Sequence, residues 1–312
     1  MMKKLGLLMV LGMCVVGNIR SWGFLCHRTI NQNACLALPK PLFNFYKLHV
    51  DYLVAHATDA DSRRNMVEGE ACKHFIDCDY YEKAAPLDTI CKDWKMAIAK
   101  FSEDTILKHG IVPYQCAKMM YWLTKAFEEK NVEKILKLSA DLGHYIADAH
   151  VPLHTSSNYN GQKTNQHGIH SLWETKIPEH HLSHYPIFIS EVNFIKNYPD
   201  SIWKAVEESY GLVNKVLFDE RIAKEQTPEN LQYQFTQKGG RIIKQESAFF
   251  IKQYEEKVGL MVQNRIKSAI RMVASSWYTA WILAGEPDLS LKQTQLNEIS
   301  VPTTEPEESH HH

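Results

Sequence analysis

Apolar residues recur at helical spacing along almost the whole of this 312-residue chain, and the strict alternation of a half-buried strand is scarce. Such a chain buries its apolar stripes helix against helix, so the expectation is an all-α fold. The stops are legible. Residues 24–38 read as a helix ended by Pro39 and Pro41, and residues 42–57 as a second; 58–90 are charged and irregular. Helices follow at 91–109, ended by Gly110, at 114–129, opened by Pro113, and from Asn131 to His150, ended by Pro152. Thr155 to Gly168, with Asn158, Asn160 and Gly161, reads as a loop. Helix resumes near Ile169. Pro199-Asp200-Ser201 opens another helix through Phe218, and after Gly239-Gly240 a long helix is expected to Ala284. Its stretch 274–285 reads as buried, with a membrane-docking face as the alternative. No repeat or linker divides the chain, so 22–290 is expected to form one helical domain. The polar end, 291–312, is expected to be disordered. Its three closing histidines, native or a purification remnant, are kept out of the site.

The first 21 residues bear on where the protein works. Lys3 and Lys4 precede an apolar run from Leu5 to Gly17, followed by a polar exit. That order reads as a secretory signal peptide, and the run is too short for a membrane span. A buried N-terminal helix is the competing reading. Ser21 is small, as the last residue before cleavage should be, and Trp22 would then begin the mature chain. Leu11-Gly12-Met13-Cys14 offers a lipoprotein box, with Cys14 lipidated, as a minor alternative. A mean hydropathy of −0.33 argues against an integral membrane protein. Removing 1–21 takes away three basic residues and no acids, leaving 32 basic against 36 acidic side chains. A net charge near −4 provides no polyanion-attracting surface, so a nucleic-acid substrate would need a local basic groove or metal ions. Six cysteines follow: Cys26, Cys35, Cys72, Cys78, Cys91 and Cys116. An even number in an exported chain permits disulfides, with Cys72 and Cys78 a plausible loop staple; small buried thiols are the alternative.

Sixteen histidines are many for this length, and several sit at ligand spacing. His144 and Asp148 are four apart on one helix and so share a face. Pro152 breaks that helix and turns His154 back toward it. His170 and Glu174 are again four apart. One His-x-x-x-Asp pair is more often a surface ion pair or a satisfied core histidine. Two such pairs within about thirty residues, with His154 between them, point to a zinc-type site of nitrogen and carboxylate oxygen. Upstream, His74 follows a charged loop containing Asp59, Asp61 and Arg64, and His27 lies five residues after Trp22. A free Trp22 amine and carbonyl would chelate a metal together with His27.

Trp22…His27, Asp61-x-x-Arg64, His74-Phe-Ile-Asp77, His144-x-x-x-Asp148-x-His150-x-Pro-Leu-His154 and His170-Ser-Leu-Trp-Glu174 occur in that order. The set resembles the superfamily that joins bacterial zinc-dependent phospholipases C with single-strand-specific fungal and plant nucleases. The Trp-Gly-Phe start and residues 174–179 look most like exported members from Bacteroidetes-type bacteria. The resemblance covers residues 22–174 by motif and implies three zinc ions between helices. One would take Asp61, His74, His144 and Asp148; a second, His154, His170 and Glu174. The third would take the Trp22 amine and carbonyl, His27 and Asp148. It implies hydrolysis of phosphodiesters, with Asp61, Asp148 and Arg64 in the catalytic machinery, Arg64 as a phosphate clamp and Asp61 as a proton acceptor. Substrate signals conflict: Glu174 looks like the phospholipase pattern, while the Trp-to-His spacing is closer to the nucleases.

Weaker expectations surround this set. His150 is read as orienting a ligand, Asp59 and Asp77 as carboxylates behind the ligands, and Asp79 as a substrate contact. His167 is read as an exposed loop histidine, and Phe75, Tyr80, Tyr81 and Tyr159 as packing or rim aromatics. The competing function is a non-catalytic exported zinc-binding or surface-interaction protein. Structural zinc sites are usually closed and cysteine-rich, unlike this donor set. Metallopeptidase and deaminase chemistry are discounted, because the chain lacks His-Glu-x-x-His and Cys-x-x-Cys. The expected partner is a phospholipid head group or a single-stranded nucleic acid, with transient membrane contact and a monomeric chain.

Overall fold

The computed structural model describes residues 23–189 and 192–289. The expected signal segment, Trp22 and the polar tail lie outside the described residues. Five long helices carry the fold: α1 (Phe24–Ala37), α2 (Val112–Glu128), α3 (Val132–Ala149), α4 (Tyr198–Gln226) and α5 (Ala248–Leu283). Shorter helices connect them, and one antiparallel hairpin pairs β1 (Tyr233–Lys238) with β2 (Arg241–Glu246). The all-α expectation holds. No helix among the described residues is long and apolar enough to cross a membrane.

Local chemistry explains the helix starts. The Asn131 side chain accepts from Lys134 N at 3.1 Å and caps α3; Asn197 and Ser247 do the same for α4 and α5. Pro113 and Pro199 occupy first turns, where a missing N–H costs nothing. Four expectations change. The helix read at 42–57 breaks at His49 into Leu42–Leu48 and Val50–Ala55, and the one at 91–109 breaks at Ser102, which adopts φ 69°. Helix α4 continues past Phe218 to Gln226. Gly239-Gly240 forms the hairpin turn, with φ of 56° and 75°, and α5 begins only at Ala248.

The core is apolar and aromatic, with Trp173, Trp203, Trp277, Tyr46, Tyr145 and Tyr254 fully buried. Tyr46 stacks on Trp277 at 4.7 Å, and both hydrogen-bond Ser139 of α3: the Tyr46 hydroxyl at 2.7 Å from Oγ, the indole donating to the carbonyl at 3.2 Å. The stretch 274–285 is largely buried, as expected. Arg265 of α5 donates to the carbonyls of His150 and Ala205 and to Ser209, fixing the end of α3 against α4. At Gly143 helix α1 comes so close to α3 that a Cβ would sit 2.0 Å from Asn31 Oδ1. That contact brings His27, one turn before Asn31, beside His144.

Candidate metal centre

Eight of the predicted ligands converge from six segments. Helix α1 supplies His27, the short helix Asp59–Arg63 supplies Asp61, and the 3-10 turn Ala71–His74 ends in His74. His144 and Asp148 project from one face of α3, and His154 from the turn Pro152–Thr155. His170 and Glu174 straddle a change of winding: Ile169–Ser171 is α-helical, and Leu172–Lys176 is a π-turn. Such local widening recurs at functional sites; here Glu174 Oε2 lies 3.0 Å from His170 Nε2.

Asp148 is the hub. Its carboxylate lies 3.6 Å from His27 Nε2, 2.9 Å from His74 Nδ1, 3.3 Å from His144 Nε2 and 3.7 Å from His154 Nδ1. Asp61 Oδ1 is 3.7 Å from His74 Nδ1 and 3.6 Å from His144 Nε2, and Glu174 Oε2 is 3.3 Å from His154 Nε2. Three groups are spaced to hold a cation: His27, Asp61 and His144; His74, His144 and Asp148; and His154, His170 and Glu174.

The outward-facing nitrogens fix how the rings present themselves. Nδ1 of His144 donates to Ala57 O at 2.9 Å, Nδ1 of His154 to His74 O at 2.5 Å, and Nδ1 of His170 to Tyr159 O at 3.2 Å. Each bond sets the tautomer that leaves a bare Nε2 toward the centre, the arrangement of a metal-ligating histidine. His74 presents Nδ1 instead, and its Nε2 lies 4.0 Å from Glu70 Oε1. Glu70 is itself held by Lys73 at 2.6 Å, by Arg63 at 3.4 Å and by the Tyr145 hydroxyl.

These donors fit a cation. Both carboxylate oxygens of Asp61 and Oε1 of Glu174 are buried without a hydrogen-bond partner, a costly state for acceptors unless a positive ion faces them. Protonation equilibria are pulled in opposing directions. Burial, reinforced by Asp148 and Glu174, pushes the Asp61 carboxyl up to about 6. Burial pushes His74 down to about 4. Burial also opposes ionisation of Asp148, but His144 and His154 outweigh it and hold that carboxyl well below its usual range. Burial disfavours the charged form of His144 too, yet Asp148 and Asp61 raise it to about 9. A buried knot of lone pairs and carboxylates that cannot all ionise comfortably is what a bound divalent cation relieves.

An open cleft of about 260 Å³ leads to His154 and His170, walled by Arg64, Phe75, Asp77 and Tyr159. A larger cavity of about 880 Å³, lined by Trp94, Tyr114 and Trp203, includes none of the eight residues; the side chains, not the volume, place the chemistry.

Several weaker expectations change. Asp79 does not face the cleft; it pins the following loop, accepting from Ser157 N at 2.8 Å and Ser157 Oγ at 2.5 Å. Asp59 pairs with His56 at 2.7 Å at the surface, and Asp77 with His109 at 3.1 Å. His150 orients no ligand: its Nδ1 donates to Ile146 O of its own helix at 2.7 Å, and burial lowers it to about 3. His167 is exposed, as read. All six cysteines of the described residues are free thiols, so the Cys72–Cys78 staple does not form. Glu70 was missed, although its place four residues before His74 was the available signal.

No protein-family profile matches the sequence, and no curated protein matches it. Among solved structures, alpha-toxin from Clostridium absonum aligns at 14% identity over 85% of this chain and 65% of its own, with a TM-score of 0.47. Alpha-toxin from an avian strain of Clostridium perfringens aligns at 12% identity over 85% of this chain and 64% of its own, with a TM-score of 0.49. The chain therefore spans about two thirds of the length of either toxin.

Proposed function

We propose that the protein is an exported, zinc-dependent phosphodiesterase whose domain spans residues 22–290 and holds three zinc ions. The observation that carries this reading is Asp148, buried within 3.6 Å of nitrogens from His27, His74 and His144, with three candidate ligand groups that include it or lie beside it. Asp61, His74, His144 and Asp148 hold one ion, and His154, His170 and Glu174 a second. His27 and Asp148 hold the third with the amine and carbonyl of Trp22. In support, Gly23 N donates to Glu174 O at 3.3 Å, so the chain enters α1 beside the site.

The chemistry that zinc supplies when bound is Lewis-acid polarisation of the phosphoryl group and activation of water at neutral pH. The protein's own side chains do the rest. Arg64 on the cleft wall takes the non-bridging oxygens in its planar fork. Asp61, its carboxylate buried beside His144 and His74, accepts the proton from the attacking water. Phe75 and Tyr159 flank the cleft and restrict water.

The test is zinc per chain together with hydrolysis of bis(p-nitrophenyl) phosphate before and after chelation. Bound zinc, with activity lost on chelation and restored by zinc, is the expected result; hydrolysis indifferent to chelation overturns it. Rates on phosphatidylcholine and on single-stranded DNA and RNA then separate the two substrate classes. One extra residue before Trp22 should remove one zinc and most activity, and an unchanged zinc count takes the N-terminus out of the site.

A further inference from the structure

The β1–β2 hairpin presents what a folded domain normally hides. Phe235 and Ile242 are 73% and 78% exposed. The register pairs Phe235 with Lys244 and Gln237 with Ile242, so Phe235, Ile242 and Lys244 share one face, while Ile243 and Arg241 occupy the other. The apolar groups are therefore interleaved with cations on both sides of the ribbon. At its base, Lys244 Nζ lies 3.9 Å above the Tyr233 ring and Lys224 of α4 lies 6.0 Å from it. Arg221 sits over the exposed Phe218 ring, extending the same basic and aromatic surface along α4. The hairpin's single acid, Glu246, is taken up by Lys176.

We propose that this hairpin docks the protein on an anionic lipid bilayer. Exposed aliphatic and aromatic side chains rimmed by cations match the headgroup–acyl boundary, where apolar tips enter and Lys and Arg meet lipid phosphates. Single-stranded nucleic acid is matched less well: Lys244 and Arg221 already lie over the Tyr233 and Phe218 rings, and the most exposed apolar side chain of the tip, Ile242, is aliphatic. Lys176, which holds Glu246, lies two residues beyond Glu174, so the base of the hairpin is tied to the segment that carries one candidate ligand. The inference stands on the surface alone and does not need hydrolysis to be true.

The test is flotation of the intact protein with vesicles of phosphatidylglycerol and phosphatidylcholine, compared with phosphatidylcholine alone. Binding to the anionic vesicles, weakened by salt, is expected. F235S/I242S and R241E/K244E should each lower the bound fraction roughly tenfold. Both leave hydrolysis of soluble bis(p-nitrophenyl) phosphate unchanged, which separates failure of docking from failure of the phosphodiesterase reading. The charge variant keeps the apolar face intact and serves if the serine variant does not fold. The proposal is overturned if the protein stays with the buffer or if the variants bind as the parent does. It is equally overturned if F235S/I242S instead abolishes a concentration-dependent dimer or binding to single-stranded DNA.

Discussion

At the scale of the residue, Asp148 and Glu70 illustrate two ways a carboxylate serves one centre. Asp148 faces the histidines directly, and its replacement by Asn keeps the shape while removing the charge that the proposed site would share between two ions. Asp148→Asn is expected to lower zinc content by more than one ion per chain and to leave hydrolysis of bis(p-nitrophenyl) phosphate at background; retained zinc and turnover would sink the proposed hub. Glu70 lies 4.0 Å from the outward Nε2 of His74, beyond hydrogen-bond distance, and on the proposed reading it would orient that ring once a metal draws the imidazole into place. Its carboxyl is drawn below the usual range: burial opposes this, but Lys73 and the Tyr145 hydroxyl prevail. A carboxylate behind a ligating imidazole typically changes metal affinity by about 10–100-fold. Glu70→Gln should weaken zinc binding by about that factor in a competitive chelator titration, while Glu70→Asp recovers part of it. Unchanged affinity in Glu70→Gln would detach Glu70 from His74.

At the scale of the element, legibility in the sequence followed distance along the chain. His144 with Asp148 and His170 with Glu174 are spaced by one helical turn, and Pro152 marks where His154 turns back, so local periodicity was enough. His27, Asp61 and His74 come from segments far removed from α3, and no local rule joins them; the ordered motif set carried that part. The π-turn under Glu174 leaves no trace in residue spacing. The hairpin was missed because the spacing after Gly239-Gly240 continues as helix, which hid a glycine pair suited to a two-residue turn. Gly143 is the element-scale counterpart of the ligands. With Asn31 Nδ2 held at 3.4 Å from the carbonyls of Leu53 and Ala140, a methyl group there has to push α1 away from α3. Gly143→Ala is expected to cost about 1–3 kcal/mol and to displace His27, so that thermal unfolding shifts down and one zinc is lost. Gly211 in α4 has nothing within 4 Å, and Gly211→Ala should instead be neutral or stabilising by about 0.5–1 kcal/mol. Equal effects of the two substitutions would remove the close approach as the cause.

At the scale of the whole molecule, α1 and α3 serve both the candidate ligands and the core, whereas the C-terminal helices serve the core alone. Every described ligand lies between residues 27 and 174, whereas α4 and α5, which supply Trp203, Tyr254 and Trp277 to the core, contribute none. Arg265 bridges the two parts by hydrogen bonds to the His150 and Ala205 carbonyls. The segments 59–77 and 150–176 bring buried carboxylates and imidazoles together, and on the proposed reading cations would crosslink them across long stretches of sequence. Each ion bound at 100 times its dissociation constant adds about 2.7 kcal/mol to the folded state. That contribution is local first, because α4 and α5 carry none of the candidate ligands. Chelation should therefore lower the unfolding temperature and abolish amide-exchange protection in 59–77 and 150–176, while α5 stays protected near its core tryptophan. Zinc added back should restore the lost protection. Simultaneous loss across α5 would mean that the helical scaffold itself requires the metal, and unchanged protection in both ligand segments would mean that no cation crosslinks them.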